Sequence, residues 1–390
     1  MSKVLPLSGK APAERPAGLD TVEEILEDLK AGRMVIIMDD EDRENEGDLI
    51  MAAELAKPEA VAFMIRHASG IICVPMEEDR LQRLDLPQMV ANNSELHRTA
   101  FTISVDVTSG TTTGVSSSDR AATIRALADG NAKAEDFARP GHIFPLRARR
   151  GGVLVRTGHT EAAVDLCRLA GLQPVGVICE VMNDDGSMAR RPDLQAFAQR
   201  HALKIGTIAD LIRYRLRNER SIERVSEQIV QTELGEFRLC AYEDRVSGEV
   251  HLALAKGCLD KDPPLVRVHV VDPLRDLLGV RADSRAWTLR DAMERVASAG
   301  NGVIVILRDR ESSSELLESV RALASPGGSD SASGAAAAPK RGEVLKTFGI
   351  GAQILKDLGV KRMRVLSAPK QIHGIAAFGL EIESYVGEDA

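Results

Sequence analysis

Short apolar runs alternate with helical patterns through the first two hundred residues, and this alternation constrains the fold more than any other feature. TVEEILEDLKAG opens it. Thr21 and Glu24 are spaced as a capping box, Val22, Ile25, Leu26 and Leu29 form an apolar stripe, and Gly32 stops the helix. The run MVIIM follows as a strand. The helical pattern AVAFMIRHAS leads into IICVPM, and FTISVDV leads into SSDRAATIRALAD. GVLVR reads as a strand, then a helix over 160–171, then the strand PVGVICEVM. DLQAFAQRHA and KIGTIADLIRYRL close the unit near residue 217. Strands buried on both faces are continuously apolar, whereas TISVDV alternates polar and apolar residues. The expectation is therefore an α/β (α+β) fold, a mixed sheet flanked by helices.

A chain of 390 residues is long for one domain. A second α/β unit is expected over 225–390, beginning with a hairpin of ELGEFRLCAYEDR and GEVHLALAKG. LVRVHVV, a helix around TLRDAMERVASAG, GVIVIL and a final block from IGAQILKDLG to FGLEIESYV follow. Residues 325–342 are low in complexity and read as a flexible loop. Residues 1–18 are rich in Pro, Ala and Gly, lack the apolar core of a signal peptide, and read as a disordered tail. The net charge of −8 argues against a nucleic-acid partner. No stretch of 18 apolar residues exists, so no membrane span is expected. Five scattered cysteines without a CxxC pair point to a reducing, cytoplasmic setting.

The most unusual stretch is MDDEDRENEGDLI, at 38–50. Seven acids, Asp39, Asp40, Glu41, Asp42, Glu44, Glu46 and Asp48, surround Arg43 directly after an apolar strand. Most charge runs are simply solvated faces. Here the position after a buried strand, and Gly47 as a point of sharp bending, favour a loop that gathers a divalent cation. Oxygen-only ligands suit Mg²⁺ or Mn²⁺. RTGHT, at 156–160, combines an arginine, a glycine, two hydroxyls and a helix start, a combination that can hold a phosphate. His159 in that turn could ligate a metal, move a proton or merely cap the helix. In RPGHIFPLRA, a Pro140–Gly141 turn holds His142 in a defined loop, as a general acid or base requires. Glu180 ends the apolar run PVGVIC, either as a cap or as a titrating carboxylate. The Thr and Ser residues of TTTGVSSSDRAAT could contact an anion or cap a helix.

DDEDRENEGD, TTGVSSSDRA, RPGHIFPLRA, RTGHTEAAVDL and GVICEVMNDDG, in this order across 19–217, together resemble 3,4-dihydroxy-2-butanone 4-phosphate synthase of riboflavin biosynthesis. The resemblance implies a homodimer that takes D-ribulose 5-phosphate to a four-carbon hydroxyketone phosphate and formate, using two divalent cations. It implies that Glu44 and His159 hold the metals, that Arg43 and Asp48 contact substrate, and that Arg156 and Thr160 bind its phosphate in a turn shaped by Thr157 and Gly158. His142 and Glu180 would be the proton-transfer residues. Ser69 and Cys73 fall in a further matching block; they either line the pocket or belong to a buried strand. Two cations would clamp the sugar's adjacent oxygens and acidify the neighbouring C–H.

The second unit resembles GTP cyclohydrolase II through ELGEFRLCAYEDRVSGEVHLALAKG, PLVRVH and the closing segment. The resemblance implies a three-cysteine zinc site after RVH, but HVVDPLRDLLGVRADSRAWTL holds no cysteine, and RDRESSSELLE stands where a Gln-Glu-Gly-Arg-Gly-Ile-Gly block is expected. Cys240 and Cys258 lie too early. No zinc is therefore expected, and this unit is expected to have lost GTP hydrolysis. The alternatives are a bifunctional enzyme that still opens GTP and a non-catalytic regulatory protein.

Overall fold

The computed structural model describes residues 18–280, 287–308, 316–317, 320–321, 341–367 and 375–387. Most of the expected tail, most of the expected loop and much of RDRESSSELLE lie outside the described residues. The chain divides into two compact units, with the boundary between Tyr214 and Arg215.

The first unit is built on a seven-stranded mixed sheet in the order β4-β5-β3-β6-β2-β1-β7. The strands are β1 (Val35–Met38), β2 (Gly47–Ala52), β3 (Cys73–Met76), β4 (Val105–Val107), β5 (Phe137–Arg147), β6 (Gly176–Glu180) and β7 (Lys204–Thr207). Helix α1 (Val22–Lys30) has the expected capping box: the Thr21 hydroxyl accepts the Glu24 N–H, and the Glu24 carboxylate accepts the Thr21 N–H. Its apolar stripe, Val22, Ile25, Leu26 and Leu29, is buried. β1 and β2 are buried at every position, so their side chains fill both faces of the sheet.

Four local readings of the sequence are corrected. GDLIMA is not the end of a loop but strand β2, antiparallel to both β1 and β6. The sharp bend before it falls at Asn45, with φ 55°, and not at Gly47. GVLVR is not a strand: Gly152–Leu154 forms a single 3₁₀ turn, pinned by the Asp165 carboxylate accepting the Val153 N–H at 2.8 Å. Positive φ at Gly151 and Gly152 keeps this segment from extending. His142 lies within the long strand β5 and not in a separate loop, because Ile143 pairs with Val105 of β4. Helix α5 (His159–Leu169) is buried from His159 through Cys167, although its sequence carries Glu161 and Asp165, because both acids bond inward to backbone N–H groups of residues 149–153.

The second unit holds a seven-stranded mixed sheet in the order β14-β13-β11-β12-β10-β9-β8. β8 (Ile222–Thr232), β9 (Gly235–Asp244) and β10 (Val250–Lys256) form an antiparallel meander containing the expected hairpin. β11 (Leu265–Val270), β12 (Gly302–Leu307), β13 (Arg362–Leu366) and β14 (Glu381–Val386) complete the sheet. Helices Leu289–Ala299 and Arg341–Asp357 pack beside its strands. Both units are thus mixed sheets flanked by helices.

Candidate active site

Asp39 organises the acidic stretch. Its side chain is fully buried and accepts the N–H groups of Glu44 at 3.0 Å and Glu46 at 2.9 Å, with Arg43 Nη1 at 2.8 Å. A carboxylate that satisfies two backbone donors fixes the turn around itself. Arg190, just before helix α6 (Arg191–His201), donates to the carbonyls of Glu44 and Asn45 from outside. The stretch is therefore a wound turn with chosen acids facing inward, rather than a solvated loop.

What it presents is a compact donor set. Single ligand atoms of Asp39, Glu44 and His159 all lie within 4.8 Å of one another. His159 Nδ1 lies 3.7 Å from a Glu44 oxygen and 3.7 Å from Asp48 Oδ1. These gaps are too long for hydrogen bonds. The other ring nitrogen, Nε2, is 3.1 Å from the Ile37 carbonyl, which can only accept, so Nε2 carries a proton and Nδ1 is left facing the carboxylates. Metal-binding imidazoles are commonly oriented by such a bond. Asp48 Oδ1 is buried with no hydrogen-bond partner. One orphaned, buried carboxylate oxygen beside an oriented imidazole and two further carboxylates fits a hard divalent cation.

The charges of this group act strongly on one another. Burial alone would raise the Glu44 carboxyl, but the pairing with His159 and the Arg43 charge bring it down to about 2. Burial pushes Asp48 up to about 7, against the pull of His159. Burial alone would lower His159, but Asp48 and Glu44 raise it to about 9. Glu46 is raised, first by burial and then by Glu44.

Glu180 joins this group through the sheet register, because it stands opposite Asp48 in the β2–β6 pair. Side chains directly opposite lie on one face, about 5 Å apart at Cβ. Its Oε2 accepts the Ile71 N–H at 2.8 Å. Gly70 makes that possible: a Cβ there would come within 2.4–2.7 Å of Glu180 backbone and carboxylate atoms. Ser69 ends the preceding π turn (Met64–Ala68) in the left-handed region, and Cys73 is a buried residue of β3.

Arg156, Thr157 and Gly158 lead into α5, whose N-terminus has no side-chain cap. Arg156 is held by Glu161 at 2.7 Å and donates to the His97 carbonyl and the Thr99 hydroxyl, both at 3.2 Å. Thr160 is buried in the first turn. An uncapped helix start beside a guanidinium suits an anion.

His142 sits in a second grouping. Its Nδ1 is 2.7 Å from Asp106 Oδ2 and its backbone N–H donates to Asp106 Oδ1 at 2.9 Å. β5 is separated from β2 by β3 and β6, so three strand spacings, roughly 14 Å, lie between the strand of His142 and that of Asp48, and two between it and the strand of Glu180.

Sequence reasoning singled out neither Asp106 nor His97, whose Nδ1 lies 3.8 Å from Glu44, and it counted Asp39 only as one of seven acids. Asp39 had a usable signal, being the first acid after a buried strand. The loop carrying His97 has no periodicity to read.

Residues 23–214 match the family profile of 3,4-dihydroxy-2-butanone 4-phosphate synthase, and residues 223–387 match that of GTP cyclohydrolase II. A 3,4-dihydroxy-2-butanone 4-phosphate synthase of Pseudomonas aeruginosa is 54% identical over 94% of this chain and 99% of its own length. The crystal structure of a two-domain 3,4-dihydroxy-2-butanone 4-phosphate synthase from A. baumannii covers 95% of this chain and 100% of its own, with 42% identity and a TM-score of 0.80. A 3,4-dihydroxy-2-butanone 4-phosphate synthase solved in complex with two magnesium ions covers 52% of this chain and 99% of its own, with 47% identity and a TM-score of 0.50. The chain belongs to the 3,4-dihydroxy-2-butanone 4-phosphate synthase family of riboflavin biosynthesis, with a second domain of the GTP cyclohydrolase II family.

Proposed function

We propose that the domain over 19–217 is a lyase that converts D-ribulose 5-phosphate to L-3,4-dihydroxy-2-butanone 4-phosphate and formate. The observation that carries this reading is the donor set of Asp39, Glu44 and His159, with Nε2 of the histidine committed to Ile37. Glu44 and His159 would hold two Mg²⁺ or Mn²⁺ ions, with Asp39 beside them; the magnesium complex of the relative supports this choice. Bound cations would stabilise charge on adjacent sugar oxygens.

The chain's own residues do the rest. Arg43 and Asp48 orient the sugar hydroxyls. Arg156, Thr157, Gly158 and Thr160 hold the phosphate at the start of α5, which fixes the carbon skeleton for rearrangement. Glu180, aimed by the Ile71 N–H, and His142, held by Asp106, move protons between carbon and oxygen.

The enzyme is read as a cytoplasmic homodimer. The loop carrying His97 leaves Met89, Val90 and Leu96 exposed, an apolar surface that a second copy would cover.

The domain over 225–390 is read as having lost GTP cyclohydrolase II activity and as serving as a scaffold, dimerisation element or regulator. Cys240 is buried in β9 and Cys258 bonds Asp260 at 2.8 Å. Among the described residues no group of three metal-ligating side chains occurs in that unit. Formate release from ribulose 5-phosphate with Mg²⁺, lost in Glu44→Ala and His159→Ala, tests the first reading. Formate or pyrophosphate from GTP, or one tightly bound zinc per chain, would overturn the second.

A further inference from the structure

Asp106 has no assigned part, yet its carboxylate holds the residue proposed to move protons. Oδ1 accepts the backbone N–H of His142 at 2.9 Å and Oδ2 lies 2.7 Å from Nδ1 of the same residue. The Asp106 side chain is 14% exposed and the imidazole 47% exposed, so the carboxylate is enclosed while the ring reaches solvent. One carboxylate gripping both the main chain and the ring of a single histidine fixes the position and rotation of that ring. A carboxylate opposite Nδ1 also favours the tautomer with the proton on Nδ1, which leaves Nε2 as the outward-facing base.

The segment after β4 closes over this pair. Gly114, at φ +84°, passes so close that a Cβ there would lie 2.0 Å from Asp106 Oδ2 and 2.8 Å from His142 Nδ1. The approach is prescribed by Asp119, whose Oδ2 accepts the N–H groups of Gly114 and Thr112 and the Thr112 hydroxyl, at 2.8–3.2 Å. Asp119 is anchored in turn by Ser116, the N-cap of α4 (Ser117–Ala128). The motif TTGVSSSD thus builds a lid of backbone over the Asp106–His142 contact.

We infer that Asp106 is a positioning residue that, with Gly114 packed over it, fixes the tautomer and aim of His142. The inference rests on the proton-transfer role proposed for His142. Nε2 takes a proton from the substrate, the imidazole becomes cationic against the Asp106 carboxylate, and the same proton returns in a later step. No outside reagent is consumed.

The test is Asp106→Asn in the full-length enzyme, beside His142→Gln and wild type. With Asp106→Asn, kcat should fall by a factor on the order of 10²–10⁴ while KM stays within about threefold. In wild-type protein labelled with ¹⁵N-histidine, the His142 signals, identified by their absence in His142→Gln, should show a protonated Nδ1 and an unprotonated Nε2. That spectrum needs no folded variant of Asp106. An unprotonated Nδ1 in wild type overturns the inference, as does an Asp106→Asn enzyme with undiminished kcat beside an inactive His142→Gln. A His142→Gln enzyme with wild-type kcat overturns the proton-transfer role itself.

Discussion

Divalent-cation binding should expel a proton from His159. In the metal-free protein Nε2 donates to the Ile37 carbonyl, while Nδ1 faces Glu44 and Asp48. Those carboxylates raise the imidazole to about 9, so below that pH Nδ1 carries a proton where a ligand lone pair is needed. A cation that takes Nδ1 must displace it. At pH 8, about 0.9 proton should leave per imidazole engaged, and affinity should drop about 25-fold between pH 8.5 and 7.0, or about 2 kcal/mol. Asp48, raised to about 7, is largely ionised in the upper half of that range, so the proton released there belongs to His159. Titration calorimetry with Mg²⁺ in buffers of different ionisation enthalpy reads the proton count directly. His159→Gln should abolish the release. Binding of undiminished strength that frees no proton at pH 8 would refute the assignment of Nδ1 as a ligand.

Cation binding should also stabilise the fold: at a hundredfold excess over Kd the gain is about 2.7 kcal/mol, or roughly 5–10 °C in Tm for a unit of this size, and Glu44→Gln should erase it in a melting experiment. Without metal, the Glu44–His159 pair has its own pH window. Glu44, depressed to about 2 from the usual 4.5, adds stability above pH 4.5 that is lost as pH falls toward 2. His159, raised from 6.5, adds stability below 6.5 that is lost as pH rises through 9; Asp48, raised from 3.8 to about 7, adds stability at acid pH that is lost as pH rises through 7 and so offsets the Glu44 flank, and chemical denaturation should show the loss on the alkaline side. Gly70→Ala should cost activity well beyond its effect on Tm, because its methyl would collide with Glu180. Leu29→Ala, at a fully buried position of α1, should lower stability by about 2–5 kcal/mol with the active-site geometry retained. A native thiol titration should find one fast-reacting cysteine, Cys258, since the other four are buried and Cys167 is pushed up to about 12 by its surroundings.

Legibility in the sequence followed the range of the forces involved. α1 was readable to its cap because the capping box and the apolar stripe are local. β1, β3 and β6 were readable because strands buried on both faces are continuously apolar. β2 was hidden: an acid stands second in GDLIMA, and its buried neighbour of opposite charge, His159, lies more than a hundred positions away in sequence. GVLVR misled in the other direction, its apolar residues being buried by a turn that a carboxylate twelve residues away pins in place. Glu44 and His159 could be picked out by residue type and family likeness. The Asp106 grip on His142 is a contact across 36 positions that no spacing announces.

The way Asp39 takes the N–H groups of Glu44 and Glu46 has a consequence for engineering. Those two bonds measure out the chain like fixed stitches, so the distance in residues from Asp39 to the start of β2 is as much a part of the design as the residues themselves. A single inserted glycine between Asp40 and Arg43 would leave every acid present and should still disable the catalyst, because the stitches would close on the wrong amides.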